Sequence, residues 1–304
     1  MQRFLTDSTT RVLPTILPTS LAAPLLAVVL ALSPQVALTQ DQQQADISAN
    51  RAVSGSARFD STAMHHSALF TAHDAIVVVG GVAVITALMP MDHSIATAFQ
   101  GRSLQSNRPI RRTLDAVNEL GDPGVFVFSV GTYILGLGTH SHSVAALGMH
   151  TGEAILMSGT ITEVLKGAFG RARPYVDITK PRNFNFGKGF TSDDYASFPS
   201  GDVTLAFAAA TAASSEVASS WPGASRYVTP VSYGAAAIVG VARLYKNQHW
   251  ASDVVAGAGV GTLSGVLIDR YNRAFPHNAF NRMFLSASIV PERNGAQVAW
   301  SGPF

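Results

Sequence analysis

The chain has 304 residues, 13% of them charged and 47% apolar, with a net charge of +2 and no cysteine. That length accommodates one large domain or two ordinary ones around a substantial core. A charge so close to zero, with no aromatic-interleaved basic stripe, argues against nucleic acid as a partner, and the missing cysteines exclude disulfides, thiolate metal sites and a cysteine nucleophile.

Arg3 and Arg11 precede an apolar run over residues 21–32, and a polar stretch beginning at Gln40 follows. This order predicts a secretory signal peptide over 1–39, cleaved between Ala37 and Gln40; the alternative is an uncleaved membrane anchor. Residues 40–72 are polar and read as a linker or arm. A helical domain is expected over 73–276, with apolar segments at 73–91, 123–139, 143–166, 202–219, 228–243 and 250–270. Breakers separate them at Pro90, Asp122-Pro123-Gly124, Pro199 with Gly201, Pro222-Gly223 and Pro230. The predicted fold class is all-α, a bundle of about six main helices with the site at one end. Residues 277–304 form a tail in which 283–290 and 296–301 alternate around Arg293-Asn294-Gly295, predicting a short β-hairpin.

Three stretches of the second half carry the chemistry. Lys166 is followed seven residues on by Arg173 and Pro174; Pro199-Ser200-Gly201-Asp202 comes next; Arg243 precedes His249 by six residues and Asp253 by ten. Lys166, Arg173 and Arg243 supply fixed positive charge. Ser200 and Gly201 stand at a helix start, where free amides and the positive dipole end favour an anion. His249 has the chemistry of a nucleophile, with Asp253 one helical turn away to orient the ring. In an up-and-down bundle the end of the third helix, the start of the fourth, the end of the fifth and the start of the sixth share one face, so the stretches converge. Arg173 is expected two turns beyond Lys166 if that helix continues. The long segment from Arg171 to Pro199, charged and aromatic, is the expected loop over the pocket.

These stretches resemble the type 2 phosphatidic acid phosphatase superfamily, which also holds bacterial acid phosphatases and vanadium haloperoxidases. Its pattern is Lys-x6-Arg-Pro, then Pro-Ser-Gly-His, then Ser-Arg-x5-His-x3-Asp. Lys166, Arg173, Pro174, Pro199, Ser200, Gly201, Arg243, His249 and Asp253 match it, whereas Ala242 replaces a serine and Asp202 replaces a histidine. The resemblance covers roughly residues 73 to 270 and implies a phosphomonoesterase acting through a phosphohistidine on His249. It assigns phosphate binding to Lys166, Arg173, Ser200, Gly201 and Arg243, and the leaving-group acid to the position of Asp202. It implies no cofactor, and no ligand set demands a metal. The implied partner is a phosphorylated small molecule or lipid: a lipid phosphate, an isoprenoid pyrophosphate or a soluble ester.

Asp202 leaves three readings open: a carboxyl that holds a proton beside a bound dianion and acts as the acid, a site that binds phosphate but turns over slowly, or an ordinary first-turn residue in a protein that has lost activity. A vanadate-dependent haloperoxidase is a further alternative, testable by halide oxidation. His140, His142 and His150 read as surface or satisfied histidines rather than a metal site, and Glu153 and Glu163 as polar contacts within the bundle; Arg171 and Lys188 either extend the positive mouth of the pocket or are solvated loop charges. The apolar segments are at or below membrane-spanning length, which favours an exported periplasmic domain with membrane-surface contact; an integral membrane protein with several spans is the alternative.

Overall fold

The computed structural model describes residues 69–292 and 295–300; the signal peptide expected over 1–39, and all but the last few residues of the arm, lie outside them. Thr71 opens α1 (Ala72–Leu88). Its hydroxyl accepts from the Asp74 N–H, and the Asp74 carboxylate accepts from the Thr71 N–H, a reciprocal cap. Arg270, far along the chain, donates to the same carboxylate and ties the helix down. Beyond its cap α1 is apolar around most of its circumference, and Ile76, Val79 and Val82 are exposed. A single turn at Met89–Met91 leads into α2 (Asp92–Phe99), whose Ile95, Ala96 and Phe99 are buried. A short α3 (Arg102–Gln105) follows.

The next helix departs from expectation. α4 (Arg108–Gly138) runs for 31 residues and contains Pro123. It bends by 56° between Glu119 and Pro123 instead of starting there. Its first half escapes an apolar search because Arg108, Arg111, Arg112, Asp115 and Glu119 crowd it, while Leu114 alone is deeply buried. The helix then adapts at the proline, which removes one backbone bond but need not end the element when neighbours hold it.

α5 (His142–Phe169) ends at Gly170, which adopts φ +56, a left-handed C-cap that glycine reaches without a Cβ penalty. After the long loop come α6 (Gly201–Ser220), α7 (Pro222–Tyr245) and α8 (Ala251–Ala274). α7 starts at Pro222, earlier than the expected 228, because a proline in the first turn gives up an N–H that has no helical partner anyway. α9 (Ala279–Leu285) takes up part of the stretch expected as strand. The hairpin pairs β1 (Ala287–Glu292) with β2 (Gly295–Trp300), antiparallel, from Ala287 opposite Trp300 to Glu292 opposite Gly295. The expected turn residues Arg293 and Asn294 lie outside the described residues.

α6 is the central element, alanine-rich and buried along most of its length, packed by α5, α7 and α8. Ala208 and Ala212 meet Ala154 of α5, while Leu205 and Ala209 meet Ile155. Against α8 the backbones nearly touch. A Cβ added at Gly257 would stand 2.5 Å from the Ser200 carbonyl oxygen, and one at Gly261 would stand 2.2 Å from that of Thr204. This residue order means α6 and α8 run parallel, so both N-termini lie side by side at one end. About two turns of close approach, from Gly257 to Gly265, thereby bring the two N-termini together.

Among the described residues, Ala72–Phe99 and Ala251–Ala274 are long and apolar enough to cross a membrane, and the bent α4 makes a third if its halves count as one span. Almost none of the first is buried. Exposed apolar side chains continue on α4 at Phe126, Val127 and Leu135 and on α5 at Leu156 and Val164. A helix apolar on nearly every side is a deep-core element or a membrane span.

Candidate active site

His249 is buried in the turn that precedes α8. Its Nδ1 lies 2.7 Å from the Ser197 carbonyl oxygen. A carbonyl only accepts, so Nδ1 carries the proton and donates, leaving the Nε2 lone pair available. Asp253 stands 3.9 Å from the same Nδ1. The expected direct aspartate–histidine bond is therefore replaced by a two-step one. The Asp253 carboxylate accepts from the Ser197 hydroxyl at 2.6 Å, and the Ser197 carbonyl holds the ring. The other holds on Asp253 are the Trp250 N–H at 2.9 Å and Arg171 at 2.5 Å.

Burial pushes the His249 pKa below the ordinary imidazole value of 6.5, and the positive charge of Arg173 pushes the same way, against opposing pulls from Asp253 and Ser197. The ring is thus neutral, and able to attack, at neutral pH and into the mildly acidic range. In an NMR titration of the full chain in detergent, the His249 ring, identified by its loss in His249→Ala, is expected to protonate with a midpoint below 6.5. A midpoint above that value would mean the buried environment has been misread.

The three expected cations gather around α6. Lys166, near the end of α5, lies against Gly201, where an added Cβ would meet Nζ at 2.8 Å. Arg243, near the end of α7, forms an ion pair with Asp202 in the first turn of α6. Gly121 of α4 packs over this pair, its added Cβ standing 3.0 Å from Arg243 and 3.3 Å from Asp202. Arg173 is not on a continued helix as expected. α5 stops at Phe169, so Arg173 is held by the loop, its N–H donating to the Asp194 carbonyl. Its guanidinium donates to Asp193, while Lys166 donates to Glu163, each at 2.7 Å. Every one of the three cations is thus paired with a carboxylate. Glu163 and Asp193 are exposed partners; Asp202 is a mostly buried one.

Ser200 caps α6 and is buried. Its N–H donates to the Asp253 carbonyl at 3.1 Å, but its hydroxyl has no hydrogen-bond partner among the described residues. A buried hydroxyl left without a partner is costly unless something else uses it. All eight predicted site residues therefore meet at the end of the bundle where α5 and α7 finish and α6 and α8 begin. An anion there faces two helix N-termini and three cations.

The PAP2 superfamily model matches residues 147–275, which span this whole arrangement. Over these residues the chain belongs to the PAP2 superfamily. A 122-residue stretch is 36% identical to lipid A 1-phosphatase of Porphyromonas gingivalis, covering 40% of this chain and 22% of that protein. The chain thus spans about a fifth of the length of this relative. The crystal structure of the first transmembrane PAP2 type phosphatidylglycerolphosphate phosphatase from Bacillus subtilis aligns with 68% of this chain and 98% of its own, at 16% identity and a TM-score of 0.45.

Around this site, sequence reasoning missed the buried network of Arg171, Asp92 and Ser197. Arg171 is no exposed loop charge: it is fully buried, its guanidinium lying 5.2 Å from the Phe184 ring and 5.4 Å from that of Trp250. Asp92 carried a faint signal as the only acidic residue between Asp74 and Asp115. Ser197 acts through its carbonyl and a hydroxyl whose spacing marks nothing. Away from the site, His150 pairs with Glu216 at 3.0 Å, and Glu153 accepts from Asn272 as a bundle contact. Glu163, expected inside, is exposed on Lys166. Lys188 lies over the Tyr195 ring at 3.7 Å.

Gly201 offers a direct test of the cradle. Gly201→Ala would place a methyl 2.8 Å from Lys166 Nζ. The flexible ammonium end can move aside, so the fold should survive while Lys166 leaves its place. The expected result is a KM for an aryl phosphate raised about tenfold with an unchanged melting temperature. An unchanged KM would remove Lys166 and Gly201 from the cradle.

Proposed function

We propose that the chain is a phosphoric monoester hydrolase acting on a phosphorylated lipid, with His249 as its nucleophile. The observation that carries this reading is the buried neutral imidazole whose Nδ1–H is committed to Ser197, set beside Arg173 and the unpartnered Ser200 hydroxyl. Nε2 attacks phosphorus, the P–O bond to the alcohol breaks, and the leaving oxygen takes up a proton from a protonated Asp202 or from solvent water. Water then attacks the phosphohistidine, releasing inorganic phosphate and restoring the imidazole. Lys166, Arg173 and Arg243 neutralise the equatorial oxygens, assisted by the Ser200 hydroxyl and the Gly201 amide. With that many donors the step as written uses no metal.

A lipid is favoured over a soluble ester because the relative named above acts on lipid A and because α1 presents apolar side chains on faces that no other described element covers. The same exposure favours a membrane-held protein, exported and retained through Ala72–Phe99 and Ala251–Ala274, over a soluble periplasmic one. The test is phosphate release by the detergent-solubilised full chain from phosphatidic acid, an isoprenyl pyrophosphate, an alkyl phosphate and 4-nitrophenyl phosphate, with His249→Ala as control. Release from none of them beyond that control would overturn the reading. The Asp202–Arg243 pair favours one rival, a phosphate-binding protein with feeble turnover. It would bind orthovanadate and release little phosphate.

A further inference from the structure

We infer that Asp92, delivered by the N-terminal apolar helices, is a positioning residue for His249, acting through Arg171 and Asp253. This rests on the phosphatase reading above, and it assigns a role to a residue outside the matched region 147–275. Asp92, Arg171 and Asp253 are all fully buried. One arm of the guanidinium, Nη2, donates to Asp92 at 2.7 Å and to the Pro181 carbonyl at 2.6 Å. The other arm, Nη1, donates to Asp253 at 2.5 Å and to the Ser252 hydroxyl at 2.7 Å. Ser252 closes the loop, its N–H and hydroxyl donating to the two oxygens of Asp92 at 2.9 and 2.6 Å.

The start of α2, the loop after α5 and the first turn of α8 are thereby locked together around one cation. Two carboxylates share it. Asp253 consequently keeps a net negative character and holds the Ser197 hydroxyl, while the Ser197 carbonyl fixes the proton-bearing Nδ1 of His249. A buried ion network of this kind is a weak source of stability but a strong source of fixed geometry. Removing the charge of Asp92 leaves the full positive charge of Arg171 on Asp253. The field that supports the His249 ring weakens, and the ring loses both basicity and alignment. The charged groups facing His249 are Asp253 and Arg173; those facing Asp253 are Arg171 and His249; Asp92 faces Arg171.

The test uses the full chain in detergent and the near-isosteric Asp92→Asn. With 4-nitrophenyl phosphate, kcat per folded molecule is expected to fall about 10- to 100-fold while KM stays within about threefold. The His249 titration midpoint is expected to move down by about half a pH unit. Asp92→Glu, which restores the charge, should recover most of kcat. An Asp92→Asn protein with unchanged kcat per folded molecule and an unmoved midpoint would overturn the proposal and leave Asp92 a structural residue. Should Asp92→Asn fail to fold, Arg171→Lys stands in: it keeps the charge but cannot fork to both carboxylates. A kcat loss of the same order at constant KM is then expected, and a wild-type kcat overturns the idea. If the wild-type chain hydrolyses nothing, the phosphatase reading fails, yet the midpoint difference between wild type and Asp92→Asn still decides the relay.

Discussion

His249→Ala is expected to lower kcat on any phosphomonoester substrate by about 10⁴-fold or more, roughly 5.5 kcal/mol of transition-state stabilisation, with KM little changed. The reason is geometric. The imidazole contributes no positive charge to ground-state binding, because burial and Arg173 keep it neutral. On the proposed reading phosphate is held instead by Lys166, Arg173, Arg243 and the two helix N-termini, all of which the alanine leaves in place. What disappears is the one nitrogen able to form a bond to phosphorus. Rapid acid-free quenching of the wild-type chain with a ³²P-labelled substrate should trap label that is stable in alkali and lost in acid, as expected of a phosphoramidate, and His249→Ala should trap none. Label that survives acid, or persists in the alanine variant, would place the nucleophile elsewhere. A drop of only a few-fold would mean that water attacks directly and His249 merely orients it.

Much of this site was legible in the sequence because it is built from helix ends. The rise and order of helices decide which ends meet, and the breakers at Pro199-Ser200-Gly201 and before His249 mark two of them without ambiguity. The parallel packing of α6 and α8 through Gly257 and Gly261 then brings the two helix N-termini side by side. Pattern reading failed where tertiary contacts override local rules. Pro123 and Pro230 look like stops, but both lie inside helices that their neighbours support. Arg173 would sit two turns beyond Lys166 only if α5 continued, and Gly170 in a left-handed conformation ends that helix first.

The buried network was illegible for a different reason. Arg171 and Arg173 are the same residue type two positions apart, and no local rule says that one turns inward to two carboxylates while the other stays at the pocket. Only the long-range pairings with Asp92 and Asp253, 79 and 82 positions away, explain it. Ser197 was hidden because its carbonyl does the holding, and every residue has a carbonyl. The apolar stretch of α1 was legible as far as Pro90, but its continuation through α2 and its exposure were not. The absence of any described partner over Ile76 and Val79 makes the membrane-held reading stronger than the soluble one.

Asp202→His is expected to raise kcat on an alkyl phosphate by about 10²- to 10⁴-fold while changing that on 4-nitrophenyl phosphate less than about tenfold. An alkoxide needs a proton as it leaves, whereas nitrophenolate does not, so the ratio of the two rates isolates the acid from the nucleophile. Asp202 can supply that proton only when it is not a carboxylate, and in the structure it is ion-paired to Arg243 beneath Gly121 of α4. The pair has a second cost: Asp202 competes with phosphate for the same guanidinium, and unlike Glu163 and Asp193 it is too enclosed to swing into solvent. Asp202→Asn separates the two effects. It supplies no acid, so alkyl turnover should stay low, but Arg243 is no longer shared with a carboxylate and orthovanadate should inhibit about tenfold more tightly. If Asp202→His leaves the alkyl-to-aryl ratio unchanged, Asp202 already donates the proton. The carboxyl must then leave Arg243 when substrate arrives, take up a proton from solvent and pass it to the leaving oxygen, while the incoming phosphate takes its place on the guanidinium.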